Sequence, residues 1–141
     1  MLFSRMRKTV GRHLHELGLK WMLFIVFLMV AQYNFAQTKT EVLAELERQG
    51  VKHPKIVLAQ SLLETGHYKC KGCSMDNNNL FGFFYKGEYL KFNDWQLSVA
   101  YYDWWQNELY KGGDYYTFLE RVGYATDPEY INKLKSIVKT L

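Results

Sequence analysis

Proline is nearly absent from the chain: Pro54 and Pro128 are the only two in 141 residues, and no stretch is of low complexity or repeats at a fixed period. That excludes a proline-rich spacer and a solenoid. Cysteine is as scarce. Cys70 and Cys73 cannot supply the several bridges on which small disulfide scaffolds depend. Long hydrophobic runs are missing too, since the one candidate, WMLFIVFLMVA at residues 21–31, is shorter than the ~20 residues of a spanning helix. Net charge is the last absence, and it shows only when the chain is divided. Five of the 18 Lys and Arg residues and one of the 14 acidic residues precede Thr38, so the formal excess of +4 lies wholly there. From Thr38 onward the charges balance at 13 of each sign. No basic surface of the kind that nucleic-acid binding needs is left, and no nucleic-acid partner is expected.

The first 37 residues read as an address. Arg5, Arg7, Lys8, Arg12 and Lys20 precede the apolar run, and the small residue Ala36 follows it at a possible cleavage site. A basic front, a short apolar core and a small-residue exit are the pattern of a secretory signal. An uncleaved membrane anchor is the alternative, because Asn34 is a poor match to the small residue wanted two positions before Ala36. Residues 38–141 then form one domain, long enough to bury a modest core unaided. In an exported chain the C-K-G-C of Cys70 and Cys73 reads first as a local disulfide, with a reduced pair as the alternative. His67 extends it to H-x-x-C-x-x-C, three ligands of zinc-binding type, but no fourth lies nearby and no metal is expected.

Within the domain, TEVLAELERQ at residues 40–49 is expected as a helix with a threonine cap, an inner face of Val42, Leu43 and Leu46, and Gly50 as its stop. A second helix runs over residues 54–65 between Pro54 and Gly66, carrying Ile56, Val57, Ala59, Ser61, Leu62 and Leu63. It is too apolar all round for a surface element and reads as the central buried helix. Residues 67–79 form a loop. Aromatic runs flanking Lys86-Gly87 within residues 81–92 predict a hairpin. Asp94 caps a third helix with Leu97, Ala100, Tyr101, Trp104 and Trp105 at helical spacing, ended by Gly112-Gly113. Asp114 starts a short helix. Asp127-Pro128 opens the last one, with Ile131, Leu134, Ile137, Val138 and Leu141 inward. The fold class is mainly α, a small helical domain with one short β-hairpin.

Glu64 is out of place in this scheme. It falls in the last turn of the central helix, where unpaired carbonyls favour cations and disfavour a carboxylate. A solvated glutamate is the ordinary explanation, yet the helix is a buried one, so Glu64 sits at the edge of the core. A carboxyl held neutral near pH 7 can serve as a general acid. Eleven of the 18 aromatic residues after Thr38 lie within residues 81–105. Most of these are core, and the surplus suits stacking on sugar rings.

Four segments in order, AQSLLETG, NNLFGFF, W-x-x-S-V-A-Y-Y and GYATDPEYINKL, resemble the N-acetylglucosaminidase domains of glycoside hydrolase family 73, bacterial peptidoglycan hydrolases of lysozyme-like fold. The likeness covers residues 41–141. It implies hydrolysis of the β-1,4 bond after N-acetylglucosamine in wall glycan strands, without cofactor or metal, by a monomer. With the leader, it implies export to the periplasm or cell envelope, attached to the membrane only if the leader is retained. Glu64 matches the family's catalytic glutamate and Tyr124 its functional tyrosine. Asp127 matches the aspartate of the Y-A-T-D-P run, although helix capping is its expected main role. Asn79, Leu80, Phe81 and Gly82 match the N-L-F-G that positions the hairpin and lines the cleft. Cys70 stands where many members have serine and reads as structural. A second catalytic carboxylate has no secure counterpart: Glu88 lies at about the right place on a compressed hairpin, but a solvent-facing strand residue is equally expected, and Asp94 is better explained as a cap. Two alternatives remain, a muramidase or lytic transglycosylase of the same fold, and a non-catalytic wall-binding module.

Overall fold

The computed structural model describes residues 37–141. The leader reading, resting on residues 21–31 and Ala36, lies outside them. Among the described residues no helix is long and apolar enough to cross a membrane. Within residues 37–141, five α-helices and one two-stranded antiparallel hairpin follow in chain order, a mainly α domain as expected.

Helix α1, Lys39–Gln49, begins one residue before the expected start because Thr38, not Thr40, is its cap. The reason is reciprocal bonding. The Thr38 hydroxyl accepts from the Glu41 amide at 3.2 Å, and the Glu41 carboxylate accepts from the Thr38 amide at 3.0 Å. Helix α2, Pro54–Glu64, starts on its proline and buries six consecutive residues, 57–62. Only a helix surrounded on all sides can do that, and α2 packs against both α1 and α5. Its end is closed by Thr65, whose hydroxyl donates to the Ser61 carbonyl at 2.6 Å. The loop beyond carries the Cys70–Cys73 disulfide and a 3₁₀ turn, Ser74–Asn77.

Strands β1, Phe84–Tyr85, and β2, Glu88–Tyr89, pair Phe84 with Tyr89 and Tyr85 with Glu88. Lys86 and Gly87 between them both have positive φ, 51° and 88°, as a two-residue turn that matches strand twist requires. Helix α3, Trp95–Leu109, is capped by Asp94 as expected, its carboxylate accepting from the Leu97 amide at 2.9 Å. Ser98, Val99, Tyr102 and Gln106 point inward, while Leu97, Ala100 and Trp104 are exposed. Polar side chains with buried partners share the inner face, so the apolar residues noted at helical spacing do not mark it by themselves. Helix α4, Tyr115–Arg121, is capped by Asp114. Helix α5, Tyr130–Val138, starts later than Asp127-Pro128 suggested, because the Asp127 carboxylate accepts from the Glu129 amide in a turn preceding the helix. Its buried residues are Tyr130 and Leu134, with Ile131, Ile137 and Val138 half-buried and Leu141 exposed. The core joins Val42 and Leu46 of α1, Leu58 and Leu62 of α2, Val99 of α3, Phe118 of α4 and Leu134 of α5.

Candidate active site

Helix α2 delivers Glu64 to the wall of a cleft of about 750 Å³. The same cleft is lined by Phe81, Gly82, Phe83 and Phe84 from the hairpin root, by Trp105 of α3, by residues 122–127 and by Tyr130 and Lys133 of α5. Burial pushes the Glu64 carboxyl above its ordinary value, and the Tyr130 hydroxyl partly offsets that rise. The carbonyl end of α2 acts in the same direction as burial. Glu64 is therefore a carboxyl poised to hold its proton beside an open cleft.

Gly82 makes room for it. A Cβ at this position would lie 2.7 Å from Oε2 of Glu64 and 3.3 Å from its Cδ, and the backbone there has φ +67°. Any side chain here would meet both a left-handed backbone and the Glu64 carboxyl. Asn79 fixes where Gly82 sits. Its Nδ2 donates to the carbonyls of Phe83 at 2.8 Å and Leu90 at 3.1 Å, and its Oδ1 accepts from the amides of Phe83 at 3.1 Å and Phe81 at 3.4 Å. The side chain is wholly buried, so Asn79 holds the hairpin root and has no surface left for a substrate. Phe81 is 1% exposed and packs against Tyr102, with ring centroids 4.5 Å apart and planes inclined at 45°.

Tyr124 lines the cleft, and its hydroxyl donates to the Phe81 carbonyl at 2.7 Å. It thus ties the loop before α5 to the backbone next to Gly82. Burial pushes its own hydroxyl well above the ordinary phenol value, with the nearby Tyr130 and Glu64 adding to the rise. Asp127 stands exposed on the rim in an ion pair with Lys133 at 2.5 Å, and that hydrogen bond, with the Glu129 amide, lowers its carboxyl. Glu88 is not brought to the site. It is exposed on β2 and does not line the cleft. Among the described residues, no three His, Cys, Asp or Glu side chains gather as a metal site.

Two further residues at the site were not singled out in the sequence. Tyr130 belongs with Leu134 and Ile137 at helical spacing, and that stripe could have placed a phenol on the inward face of α5. Gln60, one turn before Glu64, gave no such signal, because a glutamine in an apolar helix reads as a break in the pattern. A raised carboxyl, apolar and aromatic walls and a rim ion pair together suit proton donation to a bound carbohydrate.

A family model described as Glucosaminidase, mannosyl-glycoprotein endo-beta-N-acetylglucosaminidase, matches residues 39–141. No curated protein matches the chain.

Proposed function

The chain belongs to the Glucosaminidase family, endo-beta-N-acetylglucosaminidases and so glycoside hydrolases, and from that premise we propose that it cleaves the β-1,4 bond after N-acetylglucosamine in peptidoglycan glycan strands, with Glu64 as general acid. The observation that carries this reading is the Glu64 carboxyl itself, held above its ordinary protonation range at the wall of the cleft and packed against Gly82. The leader would export the enzyme to the compartment where that substrate lies.

In the reaction proposed, the proton on Glu64 passes to the glycosidic oxygen as the bond from that oxygen to the anomeric carbon breaks. Positive charge then develops on the sugar. An inverting route needs a second carboxylate ~6.5–9.5 Å away to activate water. Glu88 lies outside the cleft, and Asp127 is engaged with Lys133 and the Glu129 amide. This supports the substrate-assisted route. The carbonyl oxygen of the sugar's own N-acetyl group bonds to the anomeric carbon as the leaving oxygen takes the proton from Glu64. Water, deprotonated by the Glu64 carboxylate, then opens the resulting ring. Tyr124 serves this step by fixing the Phe81 carbonyl, and with it the wall at Gly82.

The family description names a glycoprotein glycan, whereas the sequence segments resemble wall hydrolases. Both substrates contain a β-1,4 bond after N-acetylglucosamine. The deciding experiment is digestion of purified peptidoglycan and, in parallel, of a mannosyl glycoprotein, with end-group analysis. New reducing N-acetylglucosamine ends on peptidoglycan support the proposal. Reducing muramic or anhydro-muramic ends would reassign the enzyme as a muramidase or lytic transglycosylase. Release of glycan from the glycoprotein alone would move the substrate class, and no cleavage of either would leave a binding module.

A further inference from the structure

A second cavity, of about 330 Å³, lies between the hairpin and α3 and shares Phe83, Phe84 and Trp105 with the wall of the cleft. Its other lining residues are Tyr85, Leu90 and Tyr101, so the lining holds no charge and is almost wholly aromatic. The polar side-chain atoms it offers are two phenol hydroxyls and one indole N–H. These differ from the phenols of the core. Tyr102, Tyr110, Tyr115 and Tyr124 each spend their hydroxyls on bonds within the protein. Among the described residues, nothing bonds the Tyr85 or Tyr101 hydroxyl or the Trp105 indole, and none of the three is buried. The cavity is also built on the same base as the cleft. Asn79 grips the carbonyls of Phe83 and Leu90, and the Leu90 amide donates to the Phe83 carbonyl at 2.9 Å. The Phe83 ring meets Tyr101 edge to face with centroids 4.8 Å apart, and Trp105 at 6.1 Å. Phe84 and Tyr85 stand at its mouth 60% and 63% exposed, neighbouring rings shown to water beside a cleft.

We propose that this groove is a further saccharide subsite, holding a peptide-free N-acetylglucosamine unit of the same glycan strand whose bond is cut in the cleft, with Tyr85 and Tyr101 as the residues that make the enzyme prefer long strands. The inference rests on the proposed cleavage of glycan strands. Continuity with the cleft names the occupant, because a strand lying against Phe83, Phe84 and Trp105 meets both cavities without leaving the protein. The lining names the part of the strand. Aromatic walls take the apolar C–H face of a pyranose ring, and the free hydroxyls and the indole N–H meet the oxygens at its rim. Stem peptides hang from the muramyl units and carry carboxylates and amines. An uncharged groove would take water from those groups and give them no partner. Its volume, at the low end for ligand sites, matches a single sugar without peptide. Filling both cavities engages more of the strand than the two sugars that flank the broken bond, which favours cuts within a strand over trimming of its ends.

The test uses the full chain and peptide-free glycan fragments from peptidoglycan, in a short and a long set. Binding is followed by NMR in Glu64→Gln, which holds the fragments uncut, and kcat/KM is measured in the active chain. Long fragments are expected to shift the side-chain signals of Tyr85 and Tyr101. Tyr85→Ala and Tyr101→Ala should each weaken long-fragment binding ~2- to 10-fold, and lower the preference for long over short fragments in kcat/KM by the same factor, as for one lost ring contact. Tyr101→Phe keeps the ring that packs on Phe83 and drops only the hydroxyl, and should lower the preference less than Tyr101→Ala. Trp104→Ala removes an exposed ring that lines neither cavity, and should keep the wild-type preference. Tyr85 and Tyr101 signals unmoved by long fragments, or equal losses on short and long ones, would overturn the proposal and leave cleavage at Glu64 standing. Shifts at these residues caused by phospholipid vesicles and not by glycan would overturn it as well, as the mark of a membrane-facing patch. Shifts with long fragments in a chain that releases no reducing N-acetylglucosamine ends would keep the groove as a sugar site and overturn the cleavage reading instead.

Discussion

Glu64 and Glu88 are the same side chain on two unlike supports. Glu64 ends a helix with six consecutive buried residues, its last carbonyls closed by Thr65 and its carboxyl pressed against the backbone at Gly82. Glu88 opens a two-residue strand in which both residues are exposed, paired with Tyr85 next to a turn. Burial raises the first carboxyl, and nothing around the second withdraws it from water. A carboxyl raised above its ordinary range is made by the backbone that carries it into a wall.

The largest effect that would test this contrast is at Glu64. Glu64→Gln keeps the shape and removes the proton, and should cut reducing-end release at least ~10³-fold. Its stability should also depart from wild type with pH. The native carboxyl titrates above its ordinary 4.5, so over that interval the folded chain holds a proton that the unfolded chain has released. Wild-type stability therefore falls as pH rises from about 4.5 through the native value and is level above it. Glu64→Gln lacks that loss, and should gain on wild type in melting temperature between acid and neutral pH. A constant difference would mean that the carboxyl is not a buried acid.

Next in size is a pair of glycine replacements. Gly82→Ala forces a Cβ into the Glu64 carboxyl and should lower turnover ~10²-fold, of the order of one lost transition-state contact, with a stability cost of ~1–2 kcal/mol for the left-handed backbone. Gly87→Ala has φ +88° but nothing within 4 Å of its Cβ. It should cost similar stability and leave the rate alone. Equal rates for the two would separate Gly82 from the acid. Tyr124→Phe leaves the Phe81 carbonyl without its donor and should lose ~1–3 kcal/mol, with turnover down ~10-fold; loss of stability at full activity would make Tyr124 a packing residue. The smallest effect is at Glu88, where Glu88→Gln should stay within ~2-fold of wild type, as for a solvated surface change, and azide should restore nothing. A large loss rescued by azide would bring the hairpin carboxylate into the reaction.

Much of the frame was legible in the chain because local chemistry fixed it. Pro54, Asp94, Asp114 and the Lys86-Gly87 turn each act within three or four residues, and each sits where expected. Glu64 was legible for the same reason, as a carboxylate at the wrong end of a helix. What was not legible depends on partners far away in sequence. Ser98 and Gln106 are on the inner face of α3 because the Leu80 amide and the Lys52 backbone meet them there, and no periodicity of apolar residues encodes such partners. Asn79 was legible as part of the hairpin motif, but its bonds to both strands show only in the fold. Glu88 had no secure match, with a solvent-facing strand residue equally expected, and on this short hairpin it is exposed and does not line the cleft.

Asn79 also has a consequence for inheritance and engineering. One buried amide grips Phe83 on the outgoing arm and Leu90 on the returning arm, so the chain between them leaves and re-enters a fixed base. Whatever lies beyond that base should be able to lengthen, shorten or be exchanged without displacing Gly82 from Glu64. The tip is in effect a cassette. A longer insert grafted at Lys86-Gly87, bearing its own carboxylate or sugar-gripping rings, should be tolerated so long as Asn79 is kept, whereas the same insert in an Asn79→Ala background should disturb the site from which it was meant to extend.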